Sequence, residues 1–262
     1  MIKTILLRTI IVGIVSFLFG CCLAYSTRAL YFNWLYNLVL YSTLNTINYP
    51  PIRNATNFDP IINDIESHLP VNHPYRDNDR VTWVHEGSHG IASQLRNQFG
   101  KPGFYLLENR AIILDREPLT TIGEVAKLIP VSLRGEVYQL YLVQSRRWWE
   151  HEPSYIFDEF VAYTNGSEAR RQLCISSRGE TIRYMLEFIV YSTSVIRSDK
   201  NTNLQTRLFI MWQIERAIKI YKQSGMSSNY LIQLRISPDA NEFRQYMREY
   251  FGAKWTKQML GF

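Results

Sequence analysis

The chain has 262 residues, of which 46% are hydrophobic and 20% charged, an ordinary globular balance that excludes an intrinsically disordered chain. Its net charge is +6, but the basic pairs are short and lie beside acidic residues, so no basic face or known module marks it as a nucleic-acid-binding protein. Two of its three cysteines, Cys21 and Cys22, lie in an N-terminal apolar run, which excludes a disulfide framework or a cysteine zinc site in the remainder.

Residues 1–27 predict a membrane anchor or signal segment. Lys3 and Arg8 are followed by an uncharged run over residues 9–25, a pattern typical of a signal anchor that spans the bilayer once. We expect an uncleaved anchor and a catalytic domain outside the cytoplasm. A secreted form, or a form lipid-anchored at Cys21, is the alternative.

Residues 28–58 predict an aromatic juxtamembrane segment and a linker. The stretch 30–44 is rich in tyrosine, tryptophan and phenylalanine, and it either lies along the membrane interface or forms a first core helix. Pro50-Pro51 and the polar residues through Asn57 indicate a linker. A single domain then occupies residues 59–262.

Helices dominate this domain, and the expected fold class is mainly α with a small β-sheet (α+β). Asp59-Pro60 opens a short helix to His68, and the start signal at 77–79 opens a helix that ends at Phe99, before Gly100. Residues 104–114 predict a β-hairpin that turns at 108–110. Further helices are predicted over 119–129, 132–148, 154–172, 179–196, 204–224 and 238–251.

The second predicted helix carries an HExxH motif, which begins at His85 and ends at His89. Residues four apart share one face of a helix, so both imidazoles can bind the same zinc ion. Glu86 would project toward a water whose pKa zinc lowers to roughly 7, which makes Glu86 the candidate general base. Gly87 and Gly90 each cost a helix about 1 kcal/mol relative to alanine. We expect them to admit a close neighbouring backbone or a substrate, with tight helix packing as the alternative.

Zinc needs a third protein ligand, and the predicted helix at 154–172 supplies acidic candidates. A carboxylate in its aromatic surroundings is costly to bury unless it is paired or bound to a metal. Glu159 is the first choice for the ligand. Glu152 and Asp158 are alternatives, and either could instead orient a histidine.

With this pattern the chain resembles the gluzincin zinc metallopeptidases, over roughly residues 80–166. The resemblance implies a zincin-like domain in which His85, His89 and Glu159 bind Zn²⁺ and Glu86 is the general base. It also implies a strand beside the cleft that pairs with extended substrate, a role for which the 104–114 segment is the candidate.

The sequence departs from the best-known subfamilies at three positions. Tyr163 stands where thermolysin-like members carry an aspartate four residues after the ligand glutamate. Ala92 and Leu95 stand where the metzincin extension requires glycine and histidine. The predicted site is therefore gluzincin-like but lies outside both subfamilies.

Peptide hydrolysis also needs a donor for the developing oxyanion. Tyr155, one helical turn before the proposed ligand Glu159, is the first choice, followed by Tyr163 and His151. The other two histidines, His68 and His73, are assigned to the surface or to loops.

The predicted function is that of a membrane-anchored zinc metalloendopeptidase that cleaves a protein or peptide substrate. The alternatives are a non-catalytic zinc-binding protein and a structural, membrane-associated helical protein in which HExxH is accidental.

Overall fold

A computed structural model describes residues 44, 46–73, 77–175 and 180–262. Residues Leu44–Phe262 form one compact unit that is mainly helical with one small sheet, which confirms the predicted class. The predicted anchor at 1–27 and most of the juxtamembrane segment lie outside the described residues. Among the described residues, no helix combines the length and the apolar character needed to cross a bilayer.

The secondary structure is numbered in chain order. The strands are β1 (Thr46–Asn48), β2 (Gly103–Tyr105) and β3 (Arg110–Ile113). The helices are α1 (Pro60–His68), α2 (Arg80–Phe99), α3 (Ile122–Leu128), α4 (Arg146–Trp149), α5 (Tyr155–Gln172), α6 (Glu180–Ser198), α7 (Leu204–Gln223), α8 (Asn229–Ile236), α9 (Asn241–Phe251) and α10 (Ala253–Leu260). A π-helix spans Gln139–Gln144, and 3-10 turns cover Val131–Leu133 and Pro238–Ala240.

The sheet is antiparallel in the order β1-β3-β2. The predicted hairpin is confirmed, and its turn is made by Leu107, Glu108 and Asn109, all of which have positive φ. Strand β1 was not predicted, since it lies in the segment assigned to the juxtamembrane region and linker.

Helix α2 begins and ends where the sequence predicts. The Asp79 carboxylate accepts hydrogen bonds from the backbone amides of Val81 and Thr82, which caps the first turn. Gly100 follows the last turn with a φ of 64°, a left-handed conformation that suits glycine. Helix α5 packs along α2, and β2 packs against the same helix.

The glycines of the HExxH helix face side chains of α1 and the turn after it. A Cβ added at Gly87 would lie 2.6 Å from Cγ2 of Ile65, and one added at Gly90 would lie 2.6 Å from the His73 ring and 2.8 Å from Cδ1 of Leu69. Tight packing, the alternative reading of these two glycines, is therefore the one that the structure supports.

The prediction of a single helix over 132–148 is wrong. The buried Glu187 of α6 accepts hydrogen bonds from the backbone amides of Glu136 and Val137. A Cβ at Gly135 would lie only 2.1 Å from Cδ of the same carboxylate. The chain therefore turns here before it enters the π-helix.

The C-terminal helices also differ from the prediction. Helix α8 was not predicted, and the helix predicted over 238–251 is a 3-10 turn followed by α9. Gly252 does end α9, with a φ of 98°, but α10 then follows at once.

The surface assignment of His68 is also wrong. Its ring is fully buried at the end of α1, where Nε2 lies 2.9 Å from the carbonyl oxygen of Tyr49 and Nδ1 lies 3.3 Å from Oδ1 of Asp64.

Candidate metal centre

The packing of α5 on α2 brings the three predicted ligands together. Nε2 of His85 and Nε2 of His89 are 3.2 Å apart, and they lie 3.6 Å and 3.5 Å from Oε2 of Glu159. His85 and Glu159 are buried and His89 is half-buried. The grouping of these three side chains, predicted from sequence, is present in the structure.

The shape of this triangle suits a tetrahedral ion. Zinc binds nitrogen and oxygen ligands at about 2.0–2.2 Å, and two ligands of a tetrahedron are then roughly 3.3–3.6 Å apart. Oε2 of Glu159 is a buried oxygen that accepts no hydrogen bond from the described protein atoms. A buried carboxylate oxygen without a donor is costly, and a bound cation removes that cost. The donor set therefore fits a divalent metal.

The surroundings of His85 and His89 shift the pKa values of the two imidazoles in opposite directions. Burial, reinforced by the neighbouring His89, holds the pKa of His85 well below its usual range. Burial also opposes the charge on His89, but the carboxylates of Asp158 and Glu159 outweigh it and raise its pKa well above the usual value. Without a metal, a proton on His89 partly neutralises the carboxylates, and a bound cation would displace it.

Asp158 orients His89 and is not part of the triangle. Its Oδ2 lies 3.2 Å from Nδ1 of His89 and accepts a hydrogen bond of 3.0 Å from Arg96. Although burial opposes the charge, His89 and Arg96 hold the pKa of Asp158 below its usual value. Of the two roles considered for Asp158, the structure supports the orienting one.

Glu86 lies at the open side of the triangle. Its Oε1 is 3.9 Å from Nε2 of His85, and its side chain is 37% exposed. Partial burial and then the negative charges of Glu159, Asp77 and Asp158 raise the pKa of Glu86, against the opposing effect of His89. A raised pKa suits a carboxylate that must accept a proton near neutral pH.

Two clefts meet at Glu86, and we name each after the histidine that it exposes. The His89-side cleft encloses about 770 Å³, and its walls include His89, Glu159, Trp149 and Tyr155. The His85-side cleft encloses about 480 Å³ and contains His85. Because Glu86 lines both, the candidate centre is accessible from two directions.

The predicted oxyanion donors are divided between these clefts. Tyr155 lines the His89-side cleft and stacks on Trp149 with ring centroids 4.7 Å apart. Burial and then the Glu159 carboxylate raise its pKa, so the phenol stays protonated and can donate. Tyr163 lines the His85-side cleft with its ring 4.3 Å from that of His85. His151 is exposed and lines neither cleft.

Sequence reasoning missed Tyr141. It lies in the π-helix, and its hydroxyl is 2.7 Å from that of Tyr163 within the His85-side cleft. No local signal marks it, and the turn that leads into the π-helix is bonded to the distant Glu187. Glu152, an alternative ligand, is exposed, belongs to a cleft beyond Trp149, and is not in the triangle.

The strand role implied by the resemblance is not supported. All three residues of β2 are buried, and the backbone oxygen of Tyr105 already accepts a hydrogen bond of 3.0 Å from the side-chain amide of Asn165. Among the described residues, no member of β2 or β3 lines either cleft. An extended substrate would therefore contact side chains of α2 and α5. His73, assigned to the surface or to a loop, does lie in a loop, where it is half-buried and lines the His89-side cleft.

In comparisons with protein-family models, curated proteins and solved structures, nothing matches this chain. The likeness to gluzincins therefore rests on the motif and on the distances given above.

Proposed function

We propose that this protein is a zinc-dependent metallopeptidase, anchored in the membrane by residues 1–27. The observation that carries the proposal is the triangle of His85, His89 and Glu159, with edges of 3.2–3.6 Å and Glu86 beside it. The anchor rests on sequence alone, since residues 1–27 lie outside the described structure.

A zinc ion held by this triangle would polarise a substrate carbonyl and make water acidic enough to attack it. Glu86 would take the proton from the attacking water and pass it to the leaving amine, as its raised pKa and partial exposure allow. Tyr155, protonated and beside Glu159, would donate to the developing oxyanion.

The shape of the site favours a peptide substrate. The His89-side and His85-side clefts lie on either side of Glu86, and together they offer room for residues before and after the scissile bond. A chain that enters from one cleft and leaves by the other would be cut internally, which supports an endopeptidase.

Metal analysis of the purified full chain tests the centre. We expect one zinc per chain, and loss or strong weakening of zinc binding in Glu159→Ala. Glu168→Gln, which removes a carboxylate further along α5, is the matched control and should retain the metal. A folded wild-type chain that binds no zinc would overturn the proposal.

Turnover of a broad peptide library tests the chemistry separately. Glu86→Gln should keep its zinc and lose cleavage, because only the proton acceptor is removed. Tyr155→Phe should also keep its zinc and lose roughly 10²–10³-fold in kcat, the usual effect of removing one oxyanion donor. A zinc-loaded wild-type chain that cleaves no peptide would instead identify a non-catalytic zinc protein.

A further inference from the structure

The His85-side cleft differs from the rest of the molecule in its charge. The chain carries a net charge of +6, yet no lysine or arginine of the described residues lines this cleft. Besides His85 and two threonines, its polar lining consists of three carboxylates and three phenols, which belong to Asp79, Glu86, Glu180, Tyr141, Tyr163 and Tyr184.

Two of these carboxylates, those of Asp79 and Glu180, have no ion-pair partner among the described residues. In the part of the chain that the structure describes, Asp79 accepts hydrogen bonds only from neutral groups of the first turn of α2, and Glu180 is exposed at the start of α6. Within the described residues, neither forms an ion pair, whereas the nearby Glu136 is paired with Arg183 at 2.8 Å. As far as the described residues go, the cleft therefore presents negative charge without a paired cation next to the candidate base Glu86.

The tyrosines give the cleft an aromatic wall. The rings of Tyr141 and Tyr163 pack edge to face at 6.1 Å, and those of Tyr163 and Tyr184 do so at 5.8 Å. Aromatic faces attract ammonium and guanidinium groups within about 6 Å. The guanidinium carbon of Arg183 lies 5.6 Å from the centroid of the Tyr184 ring, so one ring of this wall already makes such a contact within the chain.

We propose that the His85-side cleft binds a lysine or arginine side chain of the substrate, on one side of the scissile bond. This inference rests on the proposed function and names the class of substrate. The cleft volume of about 480 Å³ accommodates one long side chain. The centre would not repel the cation, because Glu159 and Glu86 together balance the two charges of a zinc ion.

The test compares peptide pairs that differ only by lysine, arginine or norleucine at one position beside the scissile bond. Two readouts are used on the full chain: kcat/KM of the wild type, and equilibrium binding of fluorescent peptides to the metal-free wild type, which keeps Glu86. We expect the cationic peptides to be preferred by about tenfold or more in both readouts, and less strongly at high salt.

Two variants of Glu180 then test whether the preference for lysine or arginine arises in the His85-side cleft. Glu180→Lys should abolish the preference for cationic peptides. If that variant fails to fold, the milder Glu180→Gln takes its place and should reduce the preference severalfold. Glu242→Gln removes a carboxylate that is largely exposed on α9 and should leave the preference intact.

The outcomes separate the two proposals. Cleavage that depends on Glu86 but shows no preference for lysine or arginine would overturn the cleft assignment and leave the proposed function standing. The same holds for a preference that survives both Glu180 variants. If nothing is cleaved, the proposed function fails, and the binding comparison alone decides whether the cleft selects cations.

Discussion

Asp158 is the residue on which the precision of the candidate centre depends. Its carboxylate holds Nδ1 of His89 on one side and Arg96 on the other, so it fixes the direction in which Nε2 of His89 points. Carboxylates in this position set both the orientation and the basicity of a ligating imidazole, and their loss lowers metal affinity or activity about 10–100-fold.

We therefore expect Asp158→Asn to lower zinc affinity by about 10–100-fold while the fold is kept. The amide oxygen can still accept a hydrogen bond from His89, but its negative charge is gone. Competition with a chromophoric chelator measures the affinity, and Glu168→Gln serves as the control. Unchanged affinity would show that the centre does not need an orienting carboxylate.

A second residue-scale feature is the buried pair of His68 and Asp64. Both ring nitrogens of His68 have an oxygen nearby: Nε2 faces the carbonyl of Tyr49, and Nδ1 faces Asp64. Burial opposes the charge on each partner, but their hydrogen bonds and mutual attraction prevail. The pKa of His68 is therefore raised and that of Asp64 is lowered, with the Tyr105 hydroxyl adding a 2.6 Å hydrogen bond to Asp64.

The sign of each pKa shift fixes the pH window of this pair. The contribution of Asp64 is present above its unfolded pKa of about 3.9 and is lost as pH falls through its lowered folded value. The contribution of His68 is present below its unfolded pKa of about 6.5 and is lost as pH rises through its raised folded value. Both are present together between about pH 4 and pH 6.5.

We expect Asp64→Asn to lower the free energy of unfolding by on the order of 2 kcal/mol at about pH 5.5 and by less at about pH 9. Urea unfolding of both chains at the two pH values measures the difference. An equal loss at both would mean that His68 is neutral throughout and that the Tyr105 and backbone contacts alone account for it.

At the scale of elements, the contact between α1 and α2 sets the depth at which the HExxH helix lies. Gly87 is in the middle of that helix, where an alanine would improve helix propensity by about 1 kcal/mol. The new methyl group would lie 2.6 Å from Cγ2 of the fully buried Ile65, so the Ile65 side chain or α1 would have to shift. Overpacking of this kind costs about 1–3 kcal/mol.

We therefore expect Gly87→Ala to be destabilising by about 1 kcal/mol or more, in spite of its better helix propensity. Urea unfolding measures the change. Gln98→Ala, at an exposed position of the same helix, should be close to neutral. If Gly87→Ala is the more stable protein, Ile65 moves aside and the glycine has no packing role.

The elements differ in whether the local sequence was enough to predict them. Helix α2 was predictable because its signals lie within it: the Asp79 cap, the apolar positions and Gly100 at its end. The grouping of His89 with Glu159 was predicted from the cost of burying an unpaired carboxylate and from the resemblance, since no spacing rule links two separate helices. The π-helix that carries Tyr141 was not predicted, and the turn just before it is bonded to Glu187, a residue about 50 positions downstream that no local pattern links to it. Tyr155 and Tyr163 line different clefts although both lie on α5, one turn before and one turn after Glu159.

At the scale of the whole molecule, the candidate centre joins two helices that pack along one another through the core. A zinc ion held by His85, His89 and Glu159 would link α2 to α5 in the folded chain, whereas the unfolded chain offers no preformed site. Binding would therefore stabilise the folded state by the free energy of saturation, about 2.7 kcal/mol when free zinc is a hundred times Kd.

For a chain of this size, each kcal/mol of added stability shifts Tm by about 2–4 °C. We therefore expect zinc to raise the Tm of the metal-free full chain by about 5–10 °C. A chelator should reverse the rise. Differential scanning fluorimetry at several zinc concentrations measures this shift. Glu159→Ala should show little or none of it, whereas Glu86→Gln should show all of it, because Glu86 lies beside the triangle but is not one of its ligands. If wild type and Glu159→Ala respond alike, zinc binds elsewhere, and the link between α2 and α5 rests on packing alone.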